Sequence, residues 1–230
     1  MSLAKLCEAL EATTKRNEKV AMIGNFLRSL SPDEVALAVP LIIGWIFPEA
    51  DSKPLELGYT IVSSALKARR QGRLIEAPLT IKAVREVFER IVDVKGPGSQ
   101  GRKKALLEGL LAQSTELERK WILKNIFGEM QHGVNEGIML DAIAKASGVP
   151  EELVHRAYTF TGDLGKIATI ALSDGAVGLS KIGLELFRPI KPMLAEMSYD
   201  ISEALSEHGG ITAFEYKFDG ARIQIHRKGS

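Results

Sequence analysis

Cysteine is almost missing, with Cys7 the only one in 230 residues. No internal disulfide can form. Leu3, Leu6 and Leu10 stand at helical spacing around Cys7, which marks the thiol as a small buried hydrophobe and fits an intracellular, reducing compartment. Metal-ligand spacings are missing too. No CxxC or HxxxH pair and no carboxylate cluster accompanies His132, so no structural metal is expected. Long apolar runs are absent as well. The longest, Val35 to Phe47, is interrupted by Pro40 and is shorter than the ~18 residues of a membrane span, and the first residues do not have the basic-then-apolar form of a signal leader. Nor does one sign of charge prevail: 30 basic side chains face 29 acidic ones, a net charge of +1. A nucleic-acid surface would therefore have to arise from where the cations sit, because the total gives no help.

What is present is an ordinary globular composition, 45% apolar and 26% charged, written mostly at helical period. Ser2 can cap a first helix, and Val20, Ile23, Leu27 and Leu30 form the stripe of a second. Ser31-Pro32-Asp33-Glu34 then supplies a capping hydroxyl, a proline where no amide is needed, and two acids at the positive end of the helix dipole. Pro40 should kink or stop that helix. Further helices are expected over Leu57 to Arg69 and Thr80 to Val92. Thr115 with Glu118 forms a capping box for Glu116 to Phe127, Pro150 opens a helix through Tyr158, and Asp163 caps one that stops at Gly175. The expected class is mainly α, with an all-helical domain over residues 1–187.

Two glycine-bearing stretches depart from a plain bundle. In KGPGSQGRKK, three glycines precede Arg102, Lys103 and Lys104, placing backbone amides and three cations at a helix N-terminus, an arrangement suited to phosphate. The competing reading is a flexible loop with a solvated charge run. In GEMQHGVNEG, residues 128–137, small residues end one helix and begin the next, so that backbone could approach a groove.

The C-terminal stretch changes period. Thr212, Phe214 and Tyr216 alternate with Ala213, Glu215 and Lys217, and Ile223 and Ile225 alternate with Arg222, Gln224 and His226. Asp219-Gly220 between them predicts a hairpin with a type I′ turn. Glu215 and Lys217 would share one strand face, with Arg222 returning nearby. A lysine held beside other cations loses its proton more readily than the free side chain at ~10.4 and becomes a nucleophile, with a phosphorus as its target here. The alternative is a surface strand lysine.

Lys217-Phe218-Asp219-Gly220-Ala221-Arg222, a KxDGxR order, resembles the nucleotidyl-lysine motif of the covalent nucleotidyltransferases. GSQGRKKALLEGLL, ELERKWILKNIFGEMQHGVNEG and DAIAKASGV together resemble the N-terminal DNA-binding domain of archaeal and eukaryotic replicative ATP-dependent DNA ligases. Arg188 to Ala195, RPIKPMLA, resembles the lead into their adenylation domain. The resemblance implies a linker and truncated beginning of that domain over residues 188–230, containing a short β hairpin. It implies Lys217 as the adenylated nucleophile, Glu215 as reader of the adenine amino group, and Arg222 as holder of the ribose. Gly98, Arg102, Lys103, Gly128 and Gly133 would meet the DNA backbone from the minor groove. ATP and, in a complete enzyme, Mg²⁺ are the implied cofactors, nicked duplex DNA is the implied partner, and a monomer is the implied state. Gln71, Leu74 and Ile75 stand where some archaeal ligases carry a sliding-clamp (PCNA) loop, although aliphatics replace its aromatics. Because only the first catalytic motif is present, the chain reads as an inactive fragment of a ligase. The alternatives are a capping-type or RNA-ligase nucleotidyltransferase, and a stand-alone DNA- or clamp-binding module.

Overall fold

The computed structural model of the protein describes residues 2–48, 53–67, 79–192, 197–221 and 223–229. Its described residues are mainly helical: α1 (Leu3–Glu11), α2 (Arg16–Arg28), α3 (Pro32–Ile43), α4 (Tyr59–Leu66), α5 (Ile81–Asp93), α6 (Ser99–Gln113), α7 (Glu116–Phe127), α8 (Glu136–Ser147), α9 (Glu151–Thr161), α10 (Leu164–Ser173), α11 (Gly175–Ser180) and α12 (Ile201–Glu207). Most starts follow local chemistry legible in the sequence. The Thr80 hydroxyl accepts from the Ala83 amide, and Asn135 and Asp163 cap α8 and α10 in the same way. Glu118 closes the capping box at Thr115, and Glu34 reaches back to the Ser31 amide at 3.2 Å.

The helices pack into two lobes. In the first, α1 and α2 meet α8 to α11 around Leu6, Ile23, Leu27, Met139, Ile143 and Ile167. In the second, α4, α5, α6 and α7 close over Val62, Phe88, Ile91, Leu107 and Leu110. Helix α3 serves both, sending Val35, Val39 and Ile42 to the first lobe and Leu41 to the second. A small third cluster of Ala4, Cys7, Trp121 and Met130 joins α1 to α7. Burial there pushes the Cys7 thiol up to about 12, so it is inert, as its helical neighbours implied.

The structure refines the expected helix boundaries. Pro40 does not stop α3, which runs on to Ile43 and ends at Gly44 with φ of +97°. Proline has no N–H for the Ala36 carbonyl one turn back, and that carbonyl lies against α10, where a Cβ on Gly165 would fall 2.6 Å from it. The missing hydrogen bond sits at a close approach of the two helices. The helix capped by Asp163 ends at Ser173, and Gly175, at φ of +60° just past the Asp174 C-cap, stops it as expected and also opens α11. At the C-terminal end, α12 starts on the Asp200 carboxylate, which accepts from the Ser202 and Glu203 amides; the sequence reading missed it.

The described residues between Thr212 and Lys228 form no strand. Asp219 is absent from the positive-φ residues, so the turn is not type I′. Phe214, Tyr216, Ile223 and Ile225 are all at least 74% exposed. An isolated two-stranded hairpin is marginal in water, and alternation produces a strand only when a sheet or helix covers the apolar face. Among the described residues nothing covers these side chains. No described helix is long and apolar enough to cross a membrane.

Candidate nucleic-acid interface

The loop between α7 and α8 is built by alternation. Met130, His132 and Val134 are buried, while Glu129, Gln131, Gly133 and Asn135 are exposed. Met130 enters the cluster around Trp121. The His132 ring stacks on Trp121 with centroids 5.7 Å apart, its Nδ1 accepts from the Val134 amide, and Val134 joins the first core. Burial is the main cause that holds the His132 pKa below its usual value, opposed by the Ile42 backbone. From beneath, Lys19, 6% exposed, donates through Nζ to the His132 carbonyl at 2.6 Å. Its ammonium lies so close under the loop that a Cβ on Gly133 would fall 2.8 Å from it. Gly133 (φ +67°) and Gln131 (φ +54°) turn the backbone outward between the inward plugs, and Gly128 (φ +68°) closes α7. The result is a held loop with an outward row of small or polar residues and a cation beneath it.

The loop before α6 is held differently. Gly98, with φ of +74°, is the N-cap, and open space lies where a Cβ would stand. Arg102 is exposed and folds back so that Nη2 donates to the Lys95 carbonyl at 2.7 Å. Lys104 pairs along its own helix with Glu108. Lys103 departs from expectation. It is 1% exposed, and its Nζ donates to the Leu55 carbonyl at 2.9 Å and to Glu56 at 2.8 Å. That hydrogen bond is the first cause holding the Glu56 carboxyl below the usual range.

The three cations of RKK therefore do not form one patch. Successive helical residues point about 100° apart, and Lys103 shares a stripe with Leu107, Leu110 and Leu111 at helical spacing, so it faces the second core. Lys103 is withdrawn as a phosphate contact and acts as a strut. The segment it holds, Leu55 to Gly58, lines an open groove with Lys53, Phe127 and Gly128, and so links the α6 end of the molecule to the start of the α7–α8 loop.

Glu215 and Lys217 are exposed. Arg222, like Gln71, Leu74 and Ile75, lies outside the described residues. The described residues therefore form no enclosing pocket around Glu215 and Lys217. Among the described residues no three His, Cys, Asp or Glu side chains converge to hold a metal ion. Sequence reasoning missed Lys19 under its loop and Lys191 after α11. Lys19 carried a weak signal, lying beside Val20 at the edge of the α2 stripe. Lys191 carried none beyond its place in the RPIKP run.

The helical body with its glycine loops and the lysine-bearing segment after it are matched in that order. Residues 1–68 and 59–144 match the family model described as DNA ligase N terminus, and residues 192–230 match that of the ATP dependent DNA ligase domain. The chain belongs to the ATP-dependent DNA ligase family. It is 36% identical to the DNA ligase of Thermococcus fumicolans over 257 residues, covering 99% of this chain and 46% of that protein. The DNA ligase of Methanopyrus kandleri is 35% identical with the same two coverages. A probable DNA ligase of Anaeromyxobacter dehalogenans is 38% identical over 228 residues, covering 99% and 43%. The chain thus spans a little under half the length of these relatives.

Proposed function

We propose that the chain is the DNA-binding and nucleotidyl-lysine-bearing part of an ATP-dependent enzyme that seals nicks in duplex DNA. Residues 1–187 are the DNA-binding domain in this reading, and residues 188–230 are the linker and the opening of the adenylation domain. The alternation in the α7–α8 loop carries the reading. Three buried plugs fix the loop, Gly128 and Gly133 present bare backbone, and Lys19 adds positive charge beneath it, as a contact to sugar and phosphate without base readout requires. Gly98 and Arg102 supply the second contact. Lys103 keeps that end of the molecule in shape.

In the chemistry, the Lys217 amine attacks the α-phosphorus of ATP, forming a nitrogen–phosphorus bond as pyrophosphate leaves. Glu215 accepts from the adenine amino group and Arg222 holds the ribose. The AMP then passes to the 5′-phosphate at a nick, the 3′-hydroxyl attacks that phosphate, and AMP leaves. Packing of the Thr212 to Lys228 segment into a hairpin belongs to this active arrangement. In the 230-residue chain alone Lys217 is an exposed amine and stays unmodified. The match of residues 1–144 to a DNA ligase N terminus favours this reading over an RNA-ligase or capping enzyme. Gln71, Leu74 and Ile75 remain the proposed contact for a sliding clamp, and unchanged clamp affinity on replacing both aliphatics by alanine would remove that contact.

The direct test titrates the 230-residue chain with a labelled, nicked duplex at several salt concentrations. Affinity should fall linearly on a log–log plot and be the same for unrelated sequences. Binding without salt dependence, or none at all, would overturn the reading. A parallel incubation with α-labelled ATP should label the full-length protein at Lys217 and leave the 230-residue chain unlabelled.

A further inference from the structure

After α11 the chain returns across the first lobe as a short ribbon whose two sides are both occupied. Toward the helices, the Lys191 amide donates to the Thr159 carbonyl at 2.9 Å and Arg188 Nη1 donates to the Thr161 carbonyl at 3.2 Å. These carbonyls belong to the last turn of α9, where helix acceptors lack partners of their own. The Lys191 stem lies along Gly162, where a Cβ would stand 3.8 Å from Cε and 3.9 Å from Cγ. Its ammonium ends 3.2 Å from the Glu136 carboxylate, 5.4 Å from the centre of the Tyr158 ring and 5.8 Å from that of Trp45. An acid, two aromatic faces and a helix terminus, drawn from three parts of the fold, converge on one side chain.

The other side of the ribbon faces the C-terminal segment. The Gln224 side-chain amide pairs with Ile190 as a strand neighbour would, its Oε1 accepting from the Ile190 amide at 2.8 Å and its Nε2 donating to the Ile190 carbonyl at 2.6 Å. His226 Nδ1 accepts from the Phe187 amide at 3.2 Å. Residues 224 and 226 share a parity in an extended segment, so both reach the ribbon from the same side.

We propose that Lys191 is a positioning residue: seated in the Glu136, Trp45 and Tyr158 socket, it fixes the direction in which the Lys217-bearing segment leaves the helical body. Glu136 is the first residue of α8, directly after the α7–α8 loop. A continuous path of contacts therefore runs from that loop through Glu136, Lys191, Ile190 and Gln224 to the segment that follows Lys217. This deepens the ligase reading and rests on it for its catalytic consequence, because the loop and the lysine must meet the same nick.

The test has two arms. In the 230-residue chain, amide exchange of Ile190 and Lys191 should be slow. Lys191→Ala should speed both by about tenfold or more, Lys191→Arg should restore the protection, and Gln224→Leu should speed Ile190 alone. Unchanged exchange in Lys191→Ala would overturn the socket. In the full-length protein, Lys191→Ala should lower the turnover of nick sealing by about tenfold, since small misplacements cost that much or more. Self-adenylation and the KM for DNA should stay within about twofold, with rescue by Lys191→Arg. Loss of DNA binding and adenylation in the wild type would count against the ligase reading. Intact values of both, with sealing unaffected by Lys191→Ala, would count against the positioning role alone.

Discussion

The two glycine-bearing loops look alike in sequence, each a run of small residues with cations close by, yet they are held in opposite ways. The loop before α6 is fastened from its helix outward, by Lys103 reaching across to Leu55 and Glu56. The α7–α8 loop is fastened from within, by Met130, His132 and Val134 and by Lys19 beneath. Each has one buried lysine donating to a backbone carbonyl. Lys103 also meets a carboxylate, whereas Lys19 has no carboxylate at ion-pair distance among the described residues. A cation near a glycine loop is therefore not yet a phosphate ligand. It can equally be the support that lets the glycines face outward.

The strongest way to break this comparison is to remove a plug. Met130→Ala should destabilise the protein by about 2–5 kcal/mol in chemical denaturation, as truncation of a buried methionine does, whereas Gln100→Ala, exposed in the first turn of α6 beside the other loop, should stay within about 0.5 kcal/mol. Equal effects would mean that the α7–α8 loop is not held from within.

Next in size is the separation of strut from ligand. Lys103→Ala leaves the Leu55 carbonyl without its buried donor and should cost about 1–3 kcal/mol of stability, with the salt slope of DNA binding unchanged. Arg102→Ala should do the reverse, leaving stability alone and flattening the slope by about 0.9 if one phosphate contact is lost. A flattened slope in Lys103→Ala would return that residue to the interface.

The glycines sharpen the contrast further. Gly98→Ala and Gly133→Ala both place a side chain in the left-handed region, at about 1–2 kcal/mol each. Gly133→Ala must also displace the Lys19 ammonium, so it should be the more destabilising of the two, as thermal melts would register.

The smallest effect is a pH response confined to one loop. Burial lowers the His132 pKa from its usual 6.5, so the folded state binds fewer protons than the unfolded one just below that value. The stability His132 contributes is complete above about pH 6.5 and is lost as pH falls through its lowered folded value. Denaturation midpoints should fall across that window and become flatter in His132→Phe. Further down, Lys120 and then Lys124 hold Glu11 at about 2 from a usual 4.5, and Lys120 lowers Glu8. The stability contributed by the α1–α7 clamp should accordingly be complete above about pH 4.5, fall progressively below it and be lost near pH 2, with Glu11→Gln removing most of that dependence.

The sequence by itself determined most of the helices, because caps, boxes and apolar stripes act over three or four residues and need no distant partner: Thr115 with Glu118, Thr80 and Asp163 work as local chemistry predicts. The KxDGxR order was likewise legible as a motif. The burial of Lys103 could also have been read, since its stripe with Leu107, Leu110 and Leu111 was in plain view beside the more conspicuous charge run. Tertiary structure alone decided the rest. Pro40 survives inside α3, whose freed Ala36 carbonyl lies at the close approach of Gly165. Lys19 and Lys191 acquire their roles from groups more than a hundred and more than fifty residues away in sequence, respectively. The alternating segment around Lys217 shows the same limit from the other side. Its period specifies which side chains would share a face, but a strand forms only when another surface buries that face, and a pattern cannot supply its own partner.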